Sequence, residues 1–528
     1  MLTLLPVFML LLSAIVIQLV GRISHRPGST WWLATVLGAI AWLLMIALGF
    51  LKPAEVQFQN WLPSASLNTQ VVLGINKDNW VFGFLLLTTI EVMILYNARY
   101  LDSAKYLNKL SGLMVIGAFG LIAILSRSPL AFIIAWTLID LAEFGVLTAV
   151  IGETENYQTK IYSVFVRTGG IILLVMAISR SAASIVFVEG TSPLLRWLLL
   201  LTVVSRMGIL PINPPISRDV SLQRDLVTVL RLIPLLTAFS FITVIPAAAL
   251  PDNFRDILVL IFTIGALFGA VSWIFSTDEL AARPYWFFAL GCLKIISYLT
   301  GTAESLEGLA VLAAVAGTGV FLYHPRFRKI YPFIPVLLVG MFGFPFTPTN
   351  AVMQLFVQQG LLLNQIFWSL SLGLLIAGVV KHATVNTLTS AVEVPWVRLM
   401  HTIGMYFLAL SPWMIVAVFF TSHNYVQKWW VSLLILGLTA CLGLVAVMVK
   451  SRNWGSDQRF SKIHRIASKL LKVFDSLLRF RWLGRIFAFL GKLLERFVFL
   501  IVSVLEGDGG ILWSFLFLVL LFSLLFTG

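Results

Sequence analysis

The chain is poor in charge and almost free of cysteine. Charged residues make up 11% of its 528 residues, against about 25% in typical soluble domains. Cys292 and Cys441 are the two cysteines, and both lie inside apolar segments. Two such thiols exclude a thiolate metal cluster and indicate no redox compartment. The low charge excludes a soluble globular protein.

Sequence motifs for cofactor binding and catalysis are also missing. No Gly-rich phosphate loop follows a strand pattern, and there is no serine nucleophile motif. The histidines form neither an i,i+4 pair nor another metal-ligand cluster; they are His25, His324, His382, His401, His423 and His464. No ligand set for a quinone, flavin or haem is present. We therefore expect no cofactor, no metal and no catalytic site within this chain.

Long apolar runs dominate the sequence instead. Hydrophobic residues make up 59% of the chain, and runs of about 17–25 residues recur, each long enough to cross ~30 Å of hydrocarbon. The first run is followed by no cleavage-site pattern, so we interpret it as a helix and not as a signal peptide. We predict an all-α polytopic membrane protein with about sixteen transmembrane helices. The predicted spans are 2–20, 31–50, 80–96, 111–126, 130–151, 161–178, 194–210, 226–245, 257–276, 285–300, 306–323, 333–353, 365–380, 401–420, 430–449 and 510–526.

The placement of Lys and Arg predicts the orientation of these spans. When successive loops are assigned to alternate sides, one side receives 14 loop cations and the 12 cations between Lys450 and Arg496, whereas the other side receives seven. By the positive-inside rule the first side is cytoplasmic, so both termini are expected outside. We expect a multi-pass protein of the cell (inner) membrane.

Segment 456–498 departs from the pattern of spans. Its apolar residues recur at helical spacing, with Lys and Arg on the other face. Such a helix lies in the membrane interface and would run about 60 Å. It is either a lipid-anchoring helix or a lateral strut along the subunit or a partner. Because the excess positive charge lies next to the membrane, we expect anionic lipids or a neighbouring subunit as partners, and no nucleic acid.

Two of the predicted helices contain prolines that would break them. Pro211, Pro214 and Pro215 lie at the end of the seventh span, and Pro345 and Pro348 lie inside the twelfth. Proline removes a backbone donor and kinks a helix. Two breaks five spans apart indicate an inverted repeat of spans 4–8 and 9–13, while ordinary kinks or loops are the alternative.

Seven ionisable residues lie inside the predicted spans and away from the span ends. They are Glu91, Asp140, Glu143, Arg167, Arg206, Arg231 and Lys294. Charges at membrane depth are costly, which makes such residues functional candidates. Asp140 and Glu143 share one helix face. Their proximity could raise the pKa of one of them, which would suit a proton carrier. Alternatively, a cation such as Arg206 or Arg167 could hold both carboxylates ionised. The plainer interpretation is a static salt bridge that has no role in transport.

Arg231 and Lys294 lie in the eighth and tenth spans. Arg231 is expected one turn into its span, where its side chain could reach the interface. Lys294 lies near the middle of its span. It is the only one of these cations that releases a proton readily, because Arg essentially never does.

Four stretches resemble a known family. The family is that of the antiporter-like membrane subunits of respiratory complex I, related hydrogenases and multisubunit sodium/proton antiporters. Its fifth span resembles residues 130–147, and its broken seventh span resembles 203–221. The charged start of its tenth span resembles 276–301, and its broken twelfth span resembles 336–356. The amphipathic helix with a terminal span resembles the extended C-terminus of the largest such subunit. The resemblance implies proton or cation translocation within a multisubunit complex, such as an NADH:quinone oxidoreductase-like one.

The chain departs from that family at three positions, so it resembles a degenerate member. Thr137 follows Trp136 where the family usually has Glu, Arg206 replaces a Lys, and Met353 stands near an expected ionisable residue. By the resemblance, Asp140 and Glu143 would be proton acceptors. Arg206 would modulate charge, and Lys294 would be the central relay.

The resemblance also divides the chain into regions. These are N-terminal transmembrane helices at 1–110, a first antiporter-like repeat at 111–245, a second at 257–380, C-terminal transmembrane helices at 401–449, the amphipathic lateral helix at 456–498 and a terminal transmembrane helix at 510–526.

Four functional hypotheses remain open at this point. The chain is a proton- or cation-translocating subunit, a non-conducting structural or assembly subunit with the same fold, a stand-alone solute transporter, or an intramembrane enzyme. The last would need carboxylates in an outer loop, for which Glu304 and Glu307 are the weak candidates.

Overall fold

The computed structural model describes most of the chain up to residue 451 and a few residues beyond it. The described residues are 2–23, 27–51, 53–58, 70–98, 101, 106–151, 157–180, 193–212, 224–245, 254–276, 279–300, 305–322, 333–347, 349–350, 352, 362–384, 394–419, 429–451, 473, 476, 478, 493 and 496.

Each of the first fifteen predicted spans contains a helix, which in the twelfth covers only the nine residues Phe333–Met341. The helices are α1 (Leu5–Ile23), α2 (Pro27–Gly49), α3 (Lys77–Asn97), α4 (Tyr106–Leu125), α5 (Pro129–Ile151), α6 (Tyr157–Arg180), α7 (Pro193–Arg206), α8 (Arg224–Val244), α9 (Arg255–Phe275), α10 (Glu279–Leu299), α11 (Ser305–Val311), α12 (Gly317–Leu322), α13 (Phe333–Met341), α14 (Leu362–Thr384), α15 (Pro395–Phe419) and α16 (Trp429–Ser451). Within the described ranges, nine helices are long and apolar enough to cross a membrane. The protein is therefore an all-α, multi-pass membrane protein.

The eleventh predicted span is one helix with an irregular middle. A π-helical segment, Leu312–Ala316, joins α11 to α12. Such segments insert one extra residue into a turn and often occur at functional sites. Here it lies in a helix that packs beside α3, α10 and α13.

A short β-hairpin between α2 and α3 was not predicted from the sequence. Strand β1 (Ala54–Phe58) pairs antiparallel with β2 (Val71–Ile75). The Arg127 N–H donates to the Val72 carbonyl at 2.9 Å, and the Val72 N–H donates to Ser128 Oγ at 3.1 Å. These bonds hold the hairpin on the turn between α4 and α5.

Buried ion pairs join the starts of three helices. Lys109 Nζ, at the start of α4, lies 2.6 Å from Asp225 Oδ2, at the start of α8. Arg224, the first residue of α8, lies 2.7 Å from Glu279 Oε1 at the start of α10. The three starts therefore lie on one side of the helix bundle, as expected if every helix from α4 to α10 crosses the membrane once.

The two predicted breaks occur, but they begin before the prolines. Helix α7 ends at Arg206 and α13 ends at Met341. Gly208 and Gly343 then adopt left-handed φ angles of 69° and 67°. The left-handed conformation suits glycine because it has no Cβ. Glycine therefore ends both helices, and the prolines follow.

Neighbouring groups satisfy the backbone at the second break. Asn350 Nδ2 donates to the Gly343 carbonyl at 2.8 Å, and Ser432 Oγ of α16 donates to the same oxygen at 2.6 Å. Non-helical backbone survives at membrane depth only where protein or a water cavity covers it, and here α16 provides that cover. Pro214, Pro215 and Pro348 lie outside the described residues.

Residues Ser476–Gly528 form a second compact unit. Its described residues, Ser476, Leu478, Leu493 and Arg496, are all helical. Their helical state agrees with a helix in this segment, and the amphipathic lateral helix at 456–498 stays a prediction. The rest of that segment, apart from the helical Val473, and the predicted span 510–526 lie outside the described residues.

Candidate charged site within the membrane

Helix α5 carries two buried carboxylates on one face. Asp140 and Glu143 lie three residues apart and are 4% and 1% exposed. This i,i+3 spacing places both side chains towards the same neighbouring helices. The sequence predicted this shared face, and the structure brings two arginines to it.

Arg206 is the partner of Asp140. Its guanidinium Nη1 lies 2.6 Å from Asp140 Oδ2, and its Nη2 donates to the Trp136 carbonyl at 3.3 Å. Its Cζ lies 5.0 Å from the centre of the Trp136 ring. Because Arg206 is the last residue of α7, its positive charge is also stabilised by the C-terminal end of the helix dipole.

Arg167 of α6 binds Glu143 with two nitrogens. Nη1 and Nη2 contact the two carboxylate oxygens, a bidentate pair. Arg167 Nε also lies 3.8 Å from Asp140 Oδ1. Two anions and two cations thus form a neutral group, which we call the four-residue cluster (Asp140, Glu143, Arg167 and Arg206). Each carboxylate thus has a guanidinium partner, which is the salt-bridge arrangement, one of the alternatives predicted from the sequence.

Arg231 does not reach the interface. Helix α8 begins at Arg224, so Arg231 lies two turns into it and is only 6% exposed. It interacts electrostatically with Glu143 and Arg167. Arg231 therefore extends the positive side of the four-residue cluster, and the expectation that it could snorkel to the interface is wrong.

Lys294 lies in the core of the described helices. It is 0% exposed, and its Nζ lies 4.8 Å from the ring centres of Phe82 and of Phe239. Aromatic faces attract an ammonium group. The two rings therefore hold the Lys294 side chain between α3 and α8.

Glu307 is a site residue that sequence reasoning misplaced. It was considered as a carboxylate of an outer loop, but it is 8% exposed in α11 and interacts electrostatically with Lys294. We call the seven residues of the four-residue cluster, Arg231, Lys294 and Glu307 the charge row. They lie on α5, α6, α7, α8, α10 and α11, and α9 contributes none of them. Glu307 lies inside the predicted span 306–323, which is the signal by which the sequence could have placed it in the membrane.

Lys109, Asp225, Arg224 and Glu279 are the other residues that sequence reasoning missed. Lys109 and Arg224 were counted among the loop cations and Asp225 was not considered, yet Lys109 and Asp225 are 2% and 0% exposed. Only tertiary contacts show that these groups are paired. They form a second layer of buried charge at one end of α4, α8 and α10.

The second break carries polar but not ionisable groups in its described part. Thr349 donates to the Gly340 carbonyl, and Asn350 donates to that of Gly343. Pro345 follows Gly343 by two residues, as Pro211 follows Gly208 by three. Met353 lies outside the described residues. The charge row therefore ends at Glu307 in the part of the chain that the structure describes.

No metal site is visible in this part of the protein. Among the described residues, no group of three or more His, Cys, Asp or Glu side chains could hold a metal ion. The carboxylates of the charge row are instead accompanied by arginine and lysine.

Comparison with known proteins shows the fold. No protein-family model matches the chain, and no curated protein does. Among solved structures, the structure of the Mrp complex from Dietzia sp. DQ12-45-1b contains a similar chain, with a TM-score of 0.67 and 14% sequence identity. The match covers 95% of this chain and 63% of that one, so this chain spans less than two thirds of that chain's length. The likeness extends over nearly all of the protein described here and establishes a shared membrane fold.

Proposed function

We propose that this chain is an antiporter-like membrane subunit that translocates protons or cations within a multisubunit complex, either a sodium/proton antiporter or an NADH:quinone oxidoreductase-like assembly. The observation that carries the proposal is the charge row, seven buried ionisable groups on six helices. Such groups are costly at membrane depth, and where they occur they mark ion and proton pathways. The fold shared with a chain of the Mrp complex supports the same conclusion.

The residues of the row have different roles in this proposal. Asp140 and Glu143 supply negative charge, and Arg167, Arg206 and Arg231 supply fixed positive charge, because arginine essentially never releases its proton. Lys294 takes up and releases the proton. Its charge state would be coupled to the four-residue cluster on one side and to Glu307 on the other.

The partners in this proposal are other membrane subunits and lipids. Segment 456–498 would lie along the cytoplasmic face, with both termini of the chain outside. Its basic residues would bind anionic lipid head groups, which attract such segments by about 1 kcal/mol per Lys or Arg.

Substitution of Lys294 tests the proposal. In the reconstituted complex we expect Lys294→Met and Lys294→Arg both to abolish ion transport while the complex still assembles. Lys294→Arg is informative because it keeps the charge but cannot exchange the proton. Cys292→Ala, at another buried position of α10, is the matched control for packing damage and should transport as the wild type does.

A second candidate is a non-conducting structural or assembly subunit. It is favoured by one observation, namely that the four-residue cluster is neutral and contains no cation able to release a proton. Wild-type transport rates in Lys294→Met, and in the combined variant Asp140→Asn, Glu143→Gln and Lys294→Met, would support this candidate and overturn the first.

A further inference from the structure

Glu91 is a buried carboxyl that the charge row does not include. It lies on α3, all of whose residues from Asn79 to Asn97 are buried. Glu91 itself is 5% exposed. It faces α2, and α2 presents Trp32, Val36, Ile40 and Leu43 as exposed apolar side chains. A single helix therefore separates this carboxyl from lipid.

A glycine makes room for the Glu91 side chain. A Cβ atom at Gly38 of α2 would overlap Glu91 Oε2 and would lie 3.1 Å from Ile94 Cδ1. Two indole hydrogen bonds fix the helices on either side of this notch. Trp31 Nε1 donates to the Ile94 carbonyl at 2.8 Å, and Trp42 Nε1 donates to Thr88 Oγ1 at 2.9 Å. The carboxyl is thus held in a defined place and not merely enclosed by chance.

The surroundings of Glu91 differ from those of the other intramembrane carboxylates. Asp140 and Glu143 each contact a guanidinium group. Among the described residues, Glu91 Oε2 has no hydrogen-bond partner. An ionised carboxylate at such a place loses its hydration without a compensating cation, and such a group takes up a proton instead.

We propose that Glu91 is a separate proton-binding site, that its carboxyl stays protonated at neutral pH in the Gly38 notch, and that hydrophobic carbodiimides modify it. This proposal does not depend on the proposed function, because it concerns a carboxyl on α3 outside the charge row.

The modification needs the protonated form. The carboxyl proton moves to one nitrogen of the carbodiimide, and a carboxyl oxygen bonds to its central carbon. This gives an O-acylisourea, and migration of the acyl group to nitrogen then gives a stable N-acylurea. All atoms of both reactants remain in the product and no leaving group is formed. Asp140 and Glu143 each contact a guanidinium group, which competes with the reagent for the carboxylate oxygens.

Chemical labelling tests the proposal. The full-length protein is treated with dicyclohexylcarbodiimide in native membranes, and the labelled residues are identified by peptide mapping. We expect the adduct on Glu91 and none on Asp140 or Glu143. Glu91→Gln should remove the adduct. An adduct on the paired carboxylates with Glu91 unmodified would overturn the proposal.

Infrared spectroscopy tests the protonation state without any reagent. The spectrum of the wild type minus that of Glu91→Gln should contain the carbonyl stretch of a protonated carboxylic acid. If the difference instead contains the bands of an ionised carboxylate, the proposal is wrong. Gly38→Ala should shift the acid band because its Cβ displaces the carboxyl. Gly28→Ala on the same helix, where a Cβ meets nothing within 4 Å, should leave the band unchanged.

Discussion

Individual side chains in this protein carry buried charge in two different ways. Asp140 and Glu143 are matched by guanidinium groups that cannot change their charge state. Lys294 lies between two phenylalanine rings, which stabilise a cation. Lysine, unlike arginine, can release its proton. In the proposed function the first arrangement therefore fixes a field inside the membrane, and the second supplies a group that can respond to it.

The effects of substitutions at Asp140 and Arg206 on stability should be strongly coupled. We expect Asp140→Asn to lower the free energy of unfolding by about 3–5 kcal/mol, because it leaves the Arg206 charge buried without its partner. The double variant Asp140→Asn, Arg206→Met should be more stable than the sum of the single effects implies, with a coupling energy of about 1–3 kcal/mol. Unfolding by denaturant in mixed micelles measures these values.

Leu141→Ala is the control for this cycle, because Leu141 is the next residue on α5 and is 63% exposed. Its effect should be small and should add to that of Arg206→Met. Strict additivity of the Asp140 and Arg206 substitutions would show that the ion pair does not contribute to stability.

At the scale of elements, α7 and α13 are too short to cross a membrane alone. They contain 14 and nine residues, so they rise about 21 Å and about 14 Å, against ~30 Å of hydrocarbon. Each is followed by a left-handed glycine and then by proline. The likeness of the two endings agrees with the predicted inverted repeat, which stays a prediction.

Gly208 and Gly343 should not tolerate a side chain. We expect Gly208→Ala and Gly343→Ala each to lower the free energy of unfolding by about 1–2 kcal/mol, because a left-handed φ strains any L-residue that has a Cβ. Gly145→Ala and Gly169→Ala are matched controls inside α5 and α6, where a Cβ meets nothing within 4 Å.

These helical controls should be neutral or more stable by up to about 1 kcal/mol, since alanine favours the helix over glycine. Thermal unfolding of all four variants in the same detergent compares them directly. If the substitutions at all four positions changed the stability equally, Gly208 and Gly343 would not be the residues that end α7 and α13.

At the scale of the molecule, several contacts fix which helix ends lie together. Ion pairs join the starts of α4, α8 and α10. Lys381 near the end of α14 donates to the Ile274 and Ser276 carbonyls at the end of α9, at 2.6 Å and 2.7 Å. The ion pairs and the Lys381 hydrogen bonds both agree with a chain in which each predicted span crosses the membrane once. They do not depend on which side of the membrane faces the cytoplasm.

Single cysteines should report the orientation of the chain. In a Cys441→Ser background, Gln57→Cys on strand β1 should react with a membrane-impermeant maleimide added to intact cells. Asn108→Cys near the start of α4 should react only after permeabilisation. The expectation follows from the excess of Lys and Arg on the side of the α4 start. Both positions are exposed in the structure. The reverse labelling pattern would place both termini in the cytoplasm.

The sequence by itself determined the number and positions of most helices. Apolar runs of span length predicted a helix at each of the first fifteen positions, because the bilayer imposes both the length and the composition of a crossing helix. The hairpin was missed because its exposed strand β1 carries no strong alternating pattern. The breaks were predicted from their prolines, whereas the left-handed glycines that end the helices precede them.

Only the tertiary structure decided how the charges are matched. The sequence placed Asp140, Glu143, Arg167 and Arg206 at membrane depth and left open whether the carboxylates share a proton or pair with arginine. Helix α6 packs against both α5 and α7, and this packing brings the two arginines to the carboxylates. Lys109 and Asp225 lie 116 residues apart in the chain and still form a buried pair. A hydrophobic run fixes where a helix begins and ends, because that depends on local composition and lipid. The partner of a buried charge depends on which helices become neighbours, and the chain establishes this only when it folds.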